Sequence, residues 1–116
     1  MSIAISSPAP LITAAEARQR VADGAVLLDT RSQGGREKTG VVPGAVIVDR
    51  DDLDAEFGFD SPTRHPEVAS LETPIVVICG SINGSGPVAE ALIARGFVNV
   101  VHVDGGVPAW FERDVR

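Results

Sequence analysis

Four short runs of Val, Ile, Leu and Ala constrain this chain more than anything else in it: AVLLD (25–29), AVIV (45–48), PIVVIC (74–79) and FVNVVHV (97–103). Their apolar residues are largely consecutive rather than alternating, which is the mark of strands covered on both faces. The segments between them carry helix signals. Thr13 with Glu16 three residues later forms a capping box, and AAEARQRVAD continues until Gly24 offers a stop. DRDDLDAEF (49–57) reads as a brief acidic helix, and VPAWFER (107–113) as a terminal helix that tucks Trp110 inward. SGPVAEALIARG (85–96) has Val88, Ala91 and Leu92 at helical spacing and ends at Gly96. With a short edge strand at Leu11 and Ile12, strands alternate with helices throughout. That order predicts an α/β fold, a parallel sheet with helices on both faces.

The remaining segments are read as connections. Residues 1–10 form a loose N-terminal arm, 30–44 an extended loop without apolar period, and 58–70 a turn-rich stretch with one short helical possibility near Pro66. The 116 residues suit one domain, 1–116, with a core supplied by aliphatic side chains because aromatics are few.

Composition narrows the chemistry. A net charge of −6 argues against a nucleic-acid surface or an anionic membrane patch, both of which need clustered cations. One cysteine and two histidines supply no ligand cluster, so neither metal nor cofactor is expected. No run approaches membrane-spanning length and the start lacks the features of a secretory signal, so a cytoplasmic location is the expectation.

Ligands of parallel sheets meet the carboxyl ends of the strands. Asp29 with Arg31, Cys79 with its loop, and Asp104 with Gly105 and Gly106 all fall there. Cys79 begins the stretch CGSINGSGP (79–87), and Ser85 is a good N-cap for the following helix, with Pro87 in its first turn. A loop of Gly80, Ser81, Ile82, Asn83 and Gly84 curled over that helix start is expected to aim main-chain N–H groups at the sulfur and to favour a thiolate, the reactive form. A buried cysteine ending a core strand is the competing reading. Asp29 and Arg31 are either a pair facing the site or a structural clamp on the 30–44 loop. The carboxylate run at 49–54 reads as a solvated face, and neither His65 nor His102 has a spacing that pairs it with Cys79.

LLDTR (27–31), GVVPGAVIV (40–48), IVVICGSINGSGPVAEALIARGFVNVVHVDGG (75–106) and AW (109–110) occur in an order and spacing that resembles the single-domain rhodanese family of sulfurtransferases. The resemblance implies a three-layer fold with a five-stranded parallel sheet. It also implies that Cys79 takes a sulfane sulfur from a small donor such as thiosulfate or a persulfide and passes it to a thiol or a protein acceptor. In a common rhodanese loop the place of Ile82 holds Gly and that of Gly84 holds Arg; only Ser85 keeps its type. The loop therefore has no cation of its own, which leaves main-chain amides and Arg31 or Arg36 to hold an anionic donor and makes thiosulfate an expected poor substrate. The related phosphatases and arsenate reductases place Arg where this chain has Ser85, which argues against phosphate-ester chemistry. Two functions follow: a sulfurtransferase carrying a persulfide on Cys79, or a weak or inactive rhodanese-fold module for binding or redox sensing.

Overall fold

The computed structural model describes residues 9–112. The expected N-terminal arm lies outside the described residues up to position 8. The sheet contains β1 (Leu11–Ile12), β2 (Val26–Asp29), β3 (Val46–Ile47), β4 (Ile75–Ile78) and β5 (Val100–Val103). All pairings are parallel and the strand order is β1-β5-β4-β2-β3. The helices are α1 (Ala14–Ala22), α2 (Gln33–Thr39), α3 (Leu53–Phe57), α4 (Ile82–Ala94) and α5 (Gly106–Glu112).

Alternate residues of the strands feed two apolar layers, as a period of two requires. Leu28, Ile75 and Val77 pack with Leu53 and Phe57 of α3 and with Val88 and Leu92 of α4. Leu27, Val76, Ile78, Val101 and Val103 face Ala17 of α1 and Val107 of α5, with half-buried Trp110 against them. β4 is the central strand and all four of its residues are buried. This explains why its sequence is an unbroken aliphatic run.

Two expectations are corrected. Residues 33–39 are helical rather than extended. α2 buries none of its residues, so no apolar period marks it, and Ser32 caps it by accepting from the Gly35 N–H at 3.1 Å. No helix forms near Pro66: among residues 58–70 only turns and bends occur, pinned by Ser61 Oγ donating to the Ala55 carbonyl.

The strand order makes the crevice between the carboxyl ends of β2 and β4 a switch point, because β2 connects outward to β3 on one side while β4 connects to β5 on the other. Thr30 staples the two ends together, donating from both N–H and Oγ1 to the Ile78 carbonyl at 3.0 and 3.2 Å. Next to it, Arg31 and Asp29 form a buried ion pair at 2.7 Å. The same guanidinium donates to Thr39 Oγ1 at 2.7 Å and to the Gly40 carbonyl at 2.8 Å, which ties α2 to the sheet. Breaking one partner of a buried pair leaves an uncompensated charge, at a cost of about 3–5 kcal/mol. Asp29→Ala is therefore expected to lose about 3–5 kcal/mol in urea unfolding at neutral pH, far more than a surface substitution such as Glu16→Ala.

Candidate active site

Cys79 follows the last residue of β4 and is 6% exposed, at the floor of a cleft of about 270 Å³. Its carbonyl accepts from the Val107 N–H at 2.8 Å, which joins the start of α5 to the cysteine. Gly106 permits this approach: its φ is +61°, and a Cβ there would lie 2.7 Å from the Cys79 carbonyl oxygen. Arg31, Ser32, Lys38, Arg50, Gly80 and Val107 are among the residues around the cleft, and none of its lining residues is acidic.

The stretch after Cys79 differs from the expected loop. α4 begins at Ile82 with Ser81 as its N-cap, three residues after the cysteine, instead of starting from a cap at Ser85. The Asn83 N–H donates to Ser81 Oγ at 3.2 Å, and the N–H groups of Gly84 and Ser85 donate to the Ser81 carbonyl at 3.1 and 3.2 Å. Those three amides serve the helix's first turn and are not aimed at the sulfur. Serine at 81 is as competent a cap as serine at 85, and sequence offers no way to choose between them.

The first turn of α4 packs directly on the thiol. A Cβ at Gly84 would lie 2.4 Å from Cys79 Sγ and 3.1 Å from Arg50 Nη1. Gly84 is thus required by close approach, and the positive end of a 13-residue helix sits beside the sulfur. The recorded hydrogen-bond partner of the sulfur is a side chain: Arg50 Nη1 donates to Sγ at 3.8 Å. The cation at the sulfur is thus Arg50, not Arg31 or Arg36, the two considered from sequence. Arg50 was missed because its acidic neighbours read as a solvated face. The available signal was its sign, a single cation inside DRDDLD just past β3.

The other predicted residues are placed as follows. Gly80 lines the cleft with Cys79, while Asn83 and Gly84 border a second cleft of about 410 Å³ on the far side of Arg50. Ile82 opens α4. Arg31 borders the Cys79 cleft, yet its guanidinium arms are committed to Asp29, Thr39, Gly40 and the Gly35 carbonyl, so it acts as the clamp of the two readings left open by sequence. Arg36 turns Nη1 to the Arg31 carbonyl.

Ser85 is fully buried and its Oγ lies 2.8 Å from His102 Nδ1 on β5. Nothing in the sequence links these two positions, since the contact exists only once α4 is laid on β5. Burial lowers the imidazole's proton affinity from its ordinary value of 6.5, against the opposing pull of the Ala9 backbone, Glu90 and Asp104. Burial thus favours the uncharged ring, and its tautomer sets whether Nδ1 or the Ser85 hydroxyl donates in this contact.

The model of the Rhodanese-like domain matches residues 13–113. The chain belongs to the rhodanese-like domain family. It is 34% identical over 87 residues to the thiosulfate sulfurtransferase GlpE of Pseudomonas syringae pv. syringae, covering 75% of this chain and 73% of that protein. Among solved structures, a Rhodopseudomonas palustris protein of unknown function, described as a possible tyrosine phosphatase, superposes with a TM-score of 0.79 at 23% identity over 97% of this chain and 95% of its own. A human single-domain sulfurtransferase superposes with a TM-score of 0.72 at 21% identity, over 95% of this chain and all of its own. These structural likenesses establish the fold of this rhodanese-like domain.

Two outcomes test the site's construction. Adding a methyl at position 84 overpacks the thiol, so Gly84→Ala is expected to destabilise the fold by about 1–3 kcal/mol, with most of that loss disappearing in a Cys79→Ala background; urea unfolding of the four species measures the coupling. For His102, the unfolded chain binds the proton more readily than the folded one, so stability rises with pH through the titration range. Acidification below the ordinary 6.5 therefore removes stability until the folded value is passed. Between about pH 7.5 and about pH 5.5, the wild type should lose more stability than His102→Gln.

Proposed function

We propose that this domain is a sulfurtransferase that carries a sulfane sulfur as a persulfide on Cys79. The observation that carries this reading is the cysteine's position: the end of the central strand, at the switch-point crevice, on the floor of a cleft bounded by Arg31, Lys38 and Arg50 and by no carboxylate. The GlpE likeness supports the same chemistry, and an anionic donor such as thiosulfate fits the sign of the cleft.

In the first half-reaction the Cys79 thiolate attacks the outer sulfur of thiosulfate. The S–S bond of the donor breaks and sulfite leaves with its electron pair, so the persulfide retains one negative charge beside Arg50 and the start of α4. In the second, an external thiolate or cyanide attacks the terminal sulfur and Cys79 departs as thiolate. The chain has one cysteine, so an intramolecular disulfide has no part in discharge. No metal or organic cofactor enters either step. Thiosulfate is a weaker donor in this reading than for a relative with an arginine inside the loop, because Arg50 reaches the sulfur at long range from an exposed position. A cytoplasmic setting, where small thiols are abundant, suits such discharge.

Phosphate-ester chemistry is disfavoured by Ser85, which fills the place where the related phosphatases carry arginine and is buried against His102. A second reading, a rhodanese-fold module for binding or redox sensing, is favoured by one observation: Gly84 packs on a thiol that is only 6% exposed. Intact-mass measurement after incubation with thiosulfate separates the two. Gain of one sulfur atom, reversed by a thiol and absent in Cys79→Ser, is the expected result. A thiol that neither gains sulfur nor reacts with iodoacetamide would instead establish the module.

A further inference from the structure

Arg50 lies outside the cysteine loop, 29 positions before the residue it touches, in the connection between β3 and α3. Asp49, Asp51 and Asp52 flank it, yet among the described residues Arg50 makes no ion pair with any of them. The turn itself explains this. The Asp49 carboxylate accepts from the Asp51 N–H at 3.0 Å, and the Asp49 carbonyl accepts from the Asp52 N–H at 3.1 Å. The acidic side chains are thereby folded into the turn or left in solvent, while the guanidinium points at the sulfur.

Three clefts meet at this side chain. Arg50 borders the Cys79 cleft, which has no acidic lining, the cleft beside Asn83 and Gly84, which Asp51 also lines, and a third of about 370 Å³ lined by Thr30, Arg36, Asp49 and Asp51. Its guanidinium has room to follow a donor as sulfur is transferred. Arg31, the other arginine at the Cys79 cleft, lacks that freedom because its arms are held by Asp29, Thr39 and Gly40. Position 84 completes the geometry. Any side chain there would occupy the space 3.1 Å from Arg50 Nη1, so the glycine that removes a cation from the loop also opens the path by which Arg50 reaches Sγ.

We infer that Arg50 is the catalytic cation of this site, binding the anionic part of the sulfur donor and the sulfite-like leaving group in place of a loop arginine. Its role rests on the sulfurtransferase reading of Cys79, and the charge it contributes to the cleft is measurable without any sulfur transfer. The alkylation rates of Cys79 by iodoacetate and iodoacetamide share the same thiolate, so their ratio reports the local charge felt by an incoming anion. A unit charge at this separation, screened as in water, changes the ratio by about fivefold. Arg50→Gln is expected to lower the iodoacetate-to-iodoacetamide ratio by about fivefold, Arg50→Lys to retain most of it, and Lys38→Gln to change it less than Arg50→Gln does. The variants should unfold at the wild-type urea midpoint, since Arg50 is an exposed residue. For thiosulfate turnover, loss of a charge-assisted hydrogen bond should raise KM in Arg50→Gln by about tenfold to a hundredfold, with a smaller rise in Arg50→Lys. An unchanged alkylation ratio in Arg50→Gln, or a larger fall in Lys38→Gln, would overturn the assignment. Absence of thiosulfate turnover in the wild type with the ratio still falling in Arg50→Gln would strike the sulfurtransferase reading and leave the cation's placement standing.

Discussion

The geometry of the cleft rests on the buried pair of Asp29 and Arg31. Asp29 ends β2 with its carboxylate 1% exposed, and Arg31 answers it through three guanidinium contacts of 2.7 to 3.2 Å. Nη1 also reaches Thr39, and Nη2, besides Asp29, the Gly40 carbonyl at the far end of α2. One ion pair thus fixes the wall opposite Cys79, while Thr30 locks that wall to β4 through the Ile78 carbonyl. Without it, α2 would have a serine cap and no apolar face by which to stay in place.

Charge in this molecule is arranged locally and against its overall sign. The chain carries a net −6, yet the residues bounding the Cys79 cleft are basic or uncharged. Long-range attraction of an anion is therefore not available. In the proposed sulfur transfer, selectivity for an anionic donor has to arise at the cleft itself, from Arg50, Lys38 and the first turn of α4. The contrast between two arginines shows why position outweighs count: Arg31 is neutralised by its partner, whereas Arg50 is kept from its acidic neighbours by the turn they form.

The centre of the sheet was legible in the sequence because β2, β4 and β5 are covered on both faces and so spell themselves as aliphatic runs, and all three fall inside the predicted segments. Cys79 was legible as a candidate because it ends such a run. α2 was hidden, since a helix that buries nothing leaves no periodic trace. The cap of α4 was misplaced by four residues because Ser81 and Ser85 are equivalent caps on paper, and only the packing of Gly84 on the thiol separates them. Arg50 and the Ser85–His102 contact escaped for one shared reason: each joins segments distant in sequence, and neither residue type advertises its partner.

α2 has a further meaning for the way the domain meets other molecules. Its seven residues contribute nothing to either apolar layer, so lifting them away exposes little hydrocarbon and sacrifices chiefly the polar ties made by Arg31. The rim of the cleft is for this reason held by polar ties, whereas the strand beneath the cysteine is held by burial on both faces. For the sulfur transfer proposed above, a bulky acceptor would meet this polar-tethered rim rather than the buried strand that ends at Cys79.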